Sequence, residues 1–242
     1  ATGILTALSG AGQTVGFDKN PFSRFFTRRY THDVESGTHE VERNHLLIAS
    51  LTDPQPAKPK LYPSAEDFAK AQTLKDEPFI CMAPTSVWFT KQYPQEQWVE
   101  LLDQLDSRYK VYLLGSPADK AHCDKIIQET RNQRVENLCG QLNLLQSAGL
   151  MRDAVLNYVN DSGPMHLASA LDAPTCAIYC STVPRFGFGP LAGFAKVVEK
   201  NEPLYCRPCG LHGYKSCPEG HFKCAREIRT EQLLEVLALC SK

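Results

Sequence analysis

The stretch Asn160, Asp161, Ser162, Gly163, Pro164, Met165, His166 sets a carboxylate, a hydroxyl, a glycine and an imidazole side by side. A short apolar run at residues 154–159 leads into it, and a helix-like run at 167–171 follows. That order predicts strand, tight turn, helix. Ser162 and Gly163 suit a helix start, where backbone N–H groups point outward and the helix dipole favours an anion. Asp161 supplies a carboxylate just before them, and His166 lies one turn into the helix. A turn like this at the carboxyl end of a strand is where open α/β sheets bind phosphorylated ligands. The competing reading of the heptapeptide is an ordinary strand-to-helix connection with an Asp or Ser cap.

A second group of chemically useful residues lies upstream, in the loop at residues 84–94: Thr85, Ser86, Thr90 and Lys91. Hydroxyls and one lysine after a strand suit a phosphate. Lys91 taken singly is an ordinary solvated lysine; its place beside Thr90 is what raises it. Neither a Walker pattern nor a G-x-G-x-x-G fingerprint occurs, which counts against a P-loop NTPase and a dinucleotide dehydrogenase.

These loops need elements to hold them. From residue 78 the pattern alternates: strands at 78–83, 110–114, 135–138, 154–159 and 175–179, helices at 95–105, 119–129, 144–151 and 164–171. A last helix is predicted at 230–239. Strands alternating with helices imply parallel pairing and a doubly wound sheet. The loops at 84–94, 115–119, 160–166 and 180–184 then share one edge of it. Before this region, residues 15–17 read as a short strand and 39–51 carry a helical pattern. Residues 52–64 hold four prolines (Pro54, Pro56, Pro59, Pro63) and read as an extended connector. Ser64 and Asp67 have capping-box spacing for a helix after it.

The 242 residues allow one large domain or two smaller ones. A net charge of −1 gives no global basic field for nucleic acid, although Arg24, Arg28 and Arg29 form a local basic group. No apolar run approaches the length of a transmembrane helix. The chain opens at Ala1 without a Met, as if cut from something longer.

Four of the ten cysteines cluster as Cys206-x2-Cys209-x7-Cys217-x6-Cys224. Two readings stand. Four thiolates could hold a structural zinc ion tetrahedrally, with His212 or His221 able to replace one of them. Alternatively, residues 203–224, rich in Pro and Gly, form a long irregular loop with four buried or loosely packed thiols.

Trp88, Lys91 and Pro94 make a W-x-x-K-x-x-P element. Leu114-Gly115-Ser116, Asn137-Leu138-Cys139-Gly140, the 160–166 stretch and Tyr179-Cys180-Ser181-Thr182-Val183-Pro184 follow in order. Together they resemble the ADP-heptose:lipopolysaccharide heptosyltransferases, glycosyltransferase family 9. Residues 39–44 are similar to that family's interdomain approach. The resemblance implies an α/β, GT-B architecture of two Rossmann-like domains. Residues 78–242 would be a nearly complete C-terminal nucleotide-sugar-binding domain, 52–77 a connector, and 1–51 the later portion of a partial N-terminal, acceptor-side domain. It implies an inverting transfer of heptose from ADP-heptose to a lipid A-core saccharide. No cofactor would be required for catalysis, nucleic acid would be no partner, and the setting would be the cytoplasm, at the inner face of a Gram-negative inner membrane.

Carried over by position, Lys91 with Thr90 beside it would contact the donor diphosphate, and the amides of Ser162 and Gly163 would hold the same phosphates. Asp161 would orient the donor sugar or the lysine, supporting catalysis. His166 would sit near sugar and phosphate, Leu142 would offer backbone to the adenine, and Asp119 would contact the ribose. The family's general base belongs to a loop in the first strands of its N-terminal domain. Those strands are not recognisable here, so the base is unassigned. A donor-binding module without the base, and a transferase for another nucleotide sugar, are the alternative expectations.

Overall fold

The structure, a computed structural model, describes residues 2–240. The chain divides into two compact units. The first runs to Lys58 and takes in Pro184–Gly189; the second comprises Pro59–Val183 and residues from Pro190 onward.

The first unit holds helix α1 (Thr2–Ala7), a parallel pair of short strands, β1 (Val15–Phe17) and β2 (Arg28–Tyr30), and helix α2 (Glu40–Leu46). Thr14 and Thr27 lock the strand pair by reciprocal backbone-to-hydroxyl bonds of 2.7 and 3.0 Å. The helical pattern at 39–51 is realised as α2 alone, opened by a capping box in which Glu42 accepts the His39 amide. Arg43 is buried and spends its guanidinium on the Thr38 and Phe186 carbonyls at 2.5 and 2.6 Å, which fastens Pro184–Gly189 into this unit. Neither α1 nor β2 was legible from periodicity, because each is too short to show a repeat.

The second unit begins with α3 (Ala65–Gln72), whose Ser64–Asp67 capping box forms as its spacing suggests. Then come β3 (Phe79–Ala83), α4 (Gln95–Gln104), β4 (Lys110–Leu113), α5 (Lys120–Glu129), β5 (Val135–Asn137), α6 (Leu144–Arg152), β6 (Leu156–Asn160), α7 (Gly163–Ala170), β7 (Thr175–Tyr179), β8 (Ala195–Glu199), α8 (Lys223–Arg226) and α9 (Thr230–Cys240). The six strands form one sheet in the order β5-β4-β3-β6-β7-β8, and every pairing is parallel. The expected doubly wound sheet is present, with β8 and α8 as additions. β8 is an edge strand with two exposed residues, and α8 has four residues.

Side chains alternate across the strands into two cores. Ile80, Met82, Val111, Leu113, Leu156 and Tyr158 meet Trp98, Leu101, Ile126 and Leu233 of α4, α5 and α9. Phe79, Cys81, Ala83, Val159 and Ala177 meet Ala71, Leu150, Met165 and Ala168 of α3, α6 and α7 on the opposite face. All five residues of β3 and of β6 are buried. These two neighbours are where the chain order reverses, since β4 and β5 build outward from one and β7 and β8 from the other.

Lys75, beyond the end of α3, clamps that segment to α6 through Asp153 at 2.6 Å and the Gly149 carbonyl at 3.1 Å. The Arg152 guanidinium, aided by Lys75 against a smaller burial effect, holds the Asp153 carboxyl down to about 2. The folded value lies below the unfolded one of about 3.9, so the ionised form favours folding. Its contribution is complete above the unfolded value and is lost as pH falls towards the folded value. Thermal melts between pH 5 and pH 2 should therefore show a smaller loss of Tm for Asp153→Asn than for the natural chain. Superimposable pH profiles would remove Asp153 from the acid response.

Candidate functional site

In an open parallel sheet the crevice lies beyond the carboxyl ends of the two strands at which chain order reverses. Here those strands are β3 and β6. Asn160, the last residue of β6, is fully buried and joins their ends. Its Oδ1 accepts the Tyr93 amide at 2.9 Å, while its Nδ2 donates to the Pro84 and Ala83 carbonyls at 2.9 and 3.3 Å. One side chain thereby satisfies the backbone of the whole 84–93 loop at both ends.

The next residue, Asp161, is 5% exposed. Its Oδ2 accepts the Thr182 hydroxyl at 2.5 Å and lies 2.7 Å from Lys91 Nζ. Lys91 closes the 3-10 turn Phe89–Lys91, so the 84–94 and 160–166 loops meet through this ion pair. An ammonium carries three donors, and Asp161 occupies one. Thr90 turns inward instead. Its amide donates to the Tyr214 carbonyl at 3.1 Å, and its hydroxyl oxygen accepts the Tyr214 amide at 2.8 Å and the Ser181 hydroxyl at 3.0 Å.

Beyond Asp161, α7 starts at Gly163 with Ser162 as its N-cap residue in an extended conformation. The Ser162 side chain makes no capping bond; its hydroxyl donates to the Asn160 carbonyl at 3.3 Å. Asp161 is not the cap either, since its oxygen faces Thr182 and Lys91. The helix start is therefore not closed over by a side chain of its own, and the space next to Gly163 is open to 4 Å. Backbone N–H groups at such a terminus lack intrahelical carbonyls and sit at the positive end of the dipole. An ammonium and a helix start side by side can receive the two charges of a diphosphate. His166 lies exposed one turn along α7.

A family model described as glycosyltransferase family 9 (heptosyltransferase) matches residues 2–213. The chain belongs to glycosyltransferase family 9. It is 30% identical over 214 residues to lipopolysaccharide heptosyltransferase 1 of Pseudomonas aeruginosa, covering 85% of this chain and 58% of that protein. It is 30% identical over 153 residues to lipopolysaccharide heptosyltransferase 2 of Escherichia coli, covering 61% of this chain and 42% of that one. The chain thus spans about half the length of these curated relatives. Among solved structures, the ADP-heptose lipopolysaccharide heptosyltransferase II of E. coli aligns with 99% of this chain and 72% of its own, at a TM-score of 0.77 and 23% identity. A family 9 glycosyl transferase of Veillonella parvula aligns with 99% and 70%, at 0.82 and 23%. These two show that the α/β, GT-B-type fold class is shared.

Within this family 9 chain, Lys91 and Asp161 are paired, Ser162 and Gly163 follow Asp161 at the start of α7, and Thr90 turns away towards Ser181 and Tyr214. Asp119 lies after β4 and accepts both the amide and the hydroxyl of Ser116 through Oδ2, so that oxygen already serves a capping box. Leu142 is half-buried against the α6 and α7 face of the core.

Of the clustered thiols, Cys206 Sγ lies 3.9 Å from His221 Nε2, and Cys209 donates to the Cys206 carbonyl. Burial pushes the Cys224 thiol up to about 12, with Cys209, Cys217 and Cys206 adding to the effect. Among the described residues no three His, Cys, Asp or Glu side chains are gathered in a way that could hold a metal ion.

Sequence reasoning gave no role to Asn160, Thr182 or Arg207. An asparagine closing an apolar strand was the one visible signal. Replacing Asn160 by Ala leaves a buried amide and a buried carbonyl unpaired, at a cost of about 1–3 kcal/mol. Denaturant melts should show that loss, and hydrogen exchange at the Tyr93 amide should quicken. An unchanged exchange rate at Tyr93 would contradict the bridging role.

Proposed function

We propose that this chain binds ADP-heptose through its second unit and takes part in transferring heptose to the inner core of lipopolysaccharide, with inversion at the anomeric carbon. The observation that carries the reading is the Lys91–Asp161 pair beside the start of α7, at the reversal of the sheet. Family membership supplies the sugar and the acceptor class. When the glycosidic bond to the diphosphate breaks, negative charge grows on the leaving ADP. Preorganised donors aimed at that charge lower the barrier. Lys91 and the amides of Ser162 and Gly163 are such donors. Asp161 holds Lys91 in place, and Thr182 holds Asp161. His166, exposed one turn along α7, is assigned to the sugar or the phosphates.

The acceptor hydroxyl must lose a proton to a base on the opposite face of the sugar. No residue of this chain is assigned that part; the family draws it from the acceptor-side domain. The acceptor is lipid-anchored, so transfer would take place at a membrane surface, although among the described residues no helix is long and apolar enough to cross one.

Lys91→Ala should weaken ADP binding by about 1.5–3 kcal/mol, the scale of a charge-assisted hydrogen bond. Titration calorimetry with ADP, UDP and GDP checks this reading at two levels. Unchanged ADP affinity in the variant would remove Lys91 from the site. Equal affinity for all three nucleotides would remove the adenine assignment.

Asp161→Asn keeps the shape and the Thr182 bond but removes the charge that fixes Lys91. In the complete enzyme it should lower transfer at least tenfold while costing about 1–3 kcal/mol of stability, between the exposed and buried limits for an ion pair. A thermal melt beside a transfer assay separates the two effects. Full activity with lowered stability would leave Asp161 a structural role only.

A further inference from the structure

The cysteine-rich segment is tied to the phosphate loops at several points. Arg207 Nη2 donates to the Thr182 carbonyl at 2.7 Å, the Tyr179 carbonyl at 3.2 Å and Glu199 at 2.5 Å. The Cys209 amide donates to the Ser181 carbonyl at 2.8 Å. Tyr214 exchanges two bonds with Thr90 through its own backbone, so its side chain plays no part. Between these points Gly213 is buried at φ +79°. A Cβ there would stand 2.8 Å from Thr90 Oγ1, 3.1 Å from Lys91 Cγ and 3.3 Å from Ser181 Oγ. Only glycine fits that space, and only glycine adopts that backbone angle without strain.

We propose that Arg207 and Gly213 are positioning residues of the diphosphate site, through which the 205–214 segment fixes the Lys91–Asp161 pair. The inference rests on the function proposed above for that pair and adds to it two residues that reach no ligand themselves. Arg207 acts through Thr182: it fixes the carbonyl of the residue whose hydroxyl holds Asp161. Its Nε is buried without a hydrogen-bond partner, so its grip runs through Nη2. Gly213 acts through Thr90 and Lys91: its missing side chain is the room in which they lie. The hydroxyl of Thr90 cannot simply turn away from an added Cβ, since it is held by Tyr214 and Ser181.

Two readouts test this in the chain as it stands. The first needs no nucleotide. Lys91 is paired at 2.7 Å and its side chain is 15% exposed, so acylation of its amine by a water-soluble reagent should be slow. Mapped by mass spectrometry, labelling of Lys91 should rise about threefold or more in Gly213→Ala and in Arg207→Gln, while Lys120, on α5, keeps its rate.

The second is a double-mutant cycle with ADP. Each variant should weaken binding about fivefold or more, and neither should weaken it further in a Lys91→Ala background. Damage that is merely structural would add to the Lys91 loss. Unchanged Lys91 labelling in folded variants, or additive losses, overturns the proposal. Should Gly213→Ala not fold, Arg207→Gln carries both readouts. A natural chain that does not bind ADP would refute the proposed function, while the labelling still decides the positioning.

Discussion

The carboxylate of Asp161 sits at the end of a fully buried strand, and that placement constrains everything around it. A charge removed from water must be matched by a cation and by hydrogen bonds. The protein matches it with Lys91 from the loop after β3 and Thr182 from the loop after β7. Three strand ends are thus committed to one oxygen. Asn160, one residue earlier, has to hold the backbone of the β3 loop so that Lys91 arrives at the right height. A buried pair of this kind is seldom more stable than apolar residues of the same size. Stability therefore does not explain why an ammonium and a carboxylate occupy this position. The function proposed for it does: a cationic group kept preorganised beside a helix start.

Much of this was legible in the sequence for a physical reason. In a doubly wound sheet the strands are buried on both faces, so they read as short apolar runs between amphipathic helices. From residue 78 onward that rhythm locates every strand of the sheet except β8 and fixes which loops share an edge. The loops at 84–94 and 160–166 could accordingly be paired before any coordinates. Strand order could not be read. Both loops end on the same edge in any parallel arrangement; only the central placing of β3 beside β6 makes them neighbours. The short elements, α1, β2, β8 and α8, were silent because three to six residues carry too little periodicity to stand out.

Side-chain direction was the other blind spot. Thr90 and Lys91 are adjacent in sequence, which suggests a pair facing one ligand. In the 3-10 turn Phe89–Lys91 they point apart, Thr90 inward to Ser181 and Tyr214, Lys91 to Asp161. A hydroxyl near a site is as apt to anchor a loop as to touch a ligand. Asp161 ran the other way. From sequence it could have been a helix cap, and its burial with a lysine and a threonine excludes that, because a cap must turn back to the first turn of its own helix.

The region least legible in sequence, residues 203–224, has no periodic pattern, and its chemistry pointed toward metal or loose thiols. Its attachment points are mostly backbone: the Cys209 amide, both backbone groups of Tyr214, and the absent side chain of Gly213. Such contacts leave no signature in residue type beyond glycine itself. A loop with so little core of its own pays an entropic cost to be ordered, of about 1–2 kcal/mol per fixed residue. Cys224 reaches the core and Cys217 packs against it, whereas Cys206 and Cys209 are only half-buried and offset little of that cost. Hydrogen bonds to the buried backbone at Thr90, Ser181 and Thr182 contribute, because those groups would otherwise be unpaired away from water. The segment and the loops after β3 and β7 therefore order one another. The geometry of Lys91 is set as much by a stretch more than a hundred residues downstream as by its own strand.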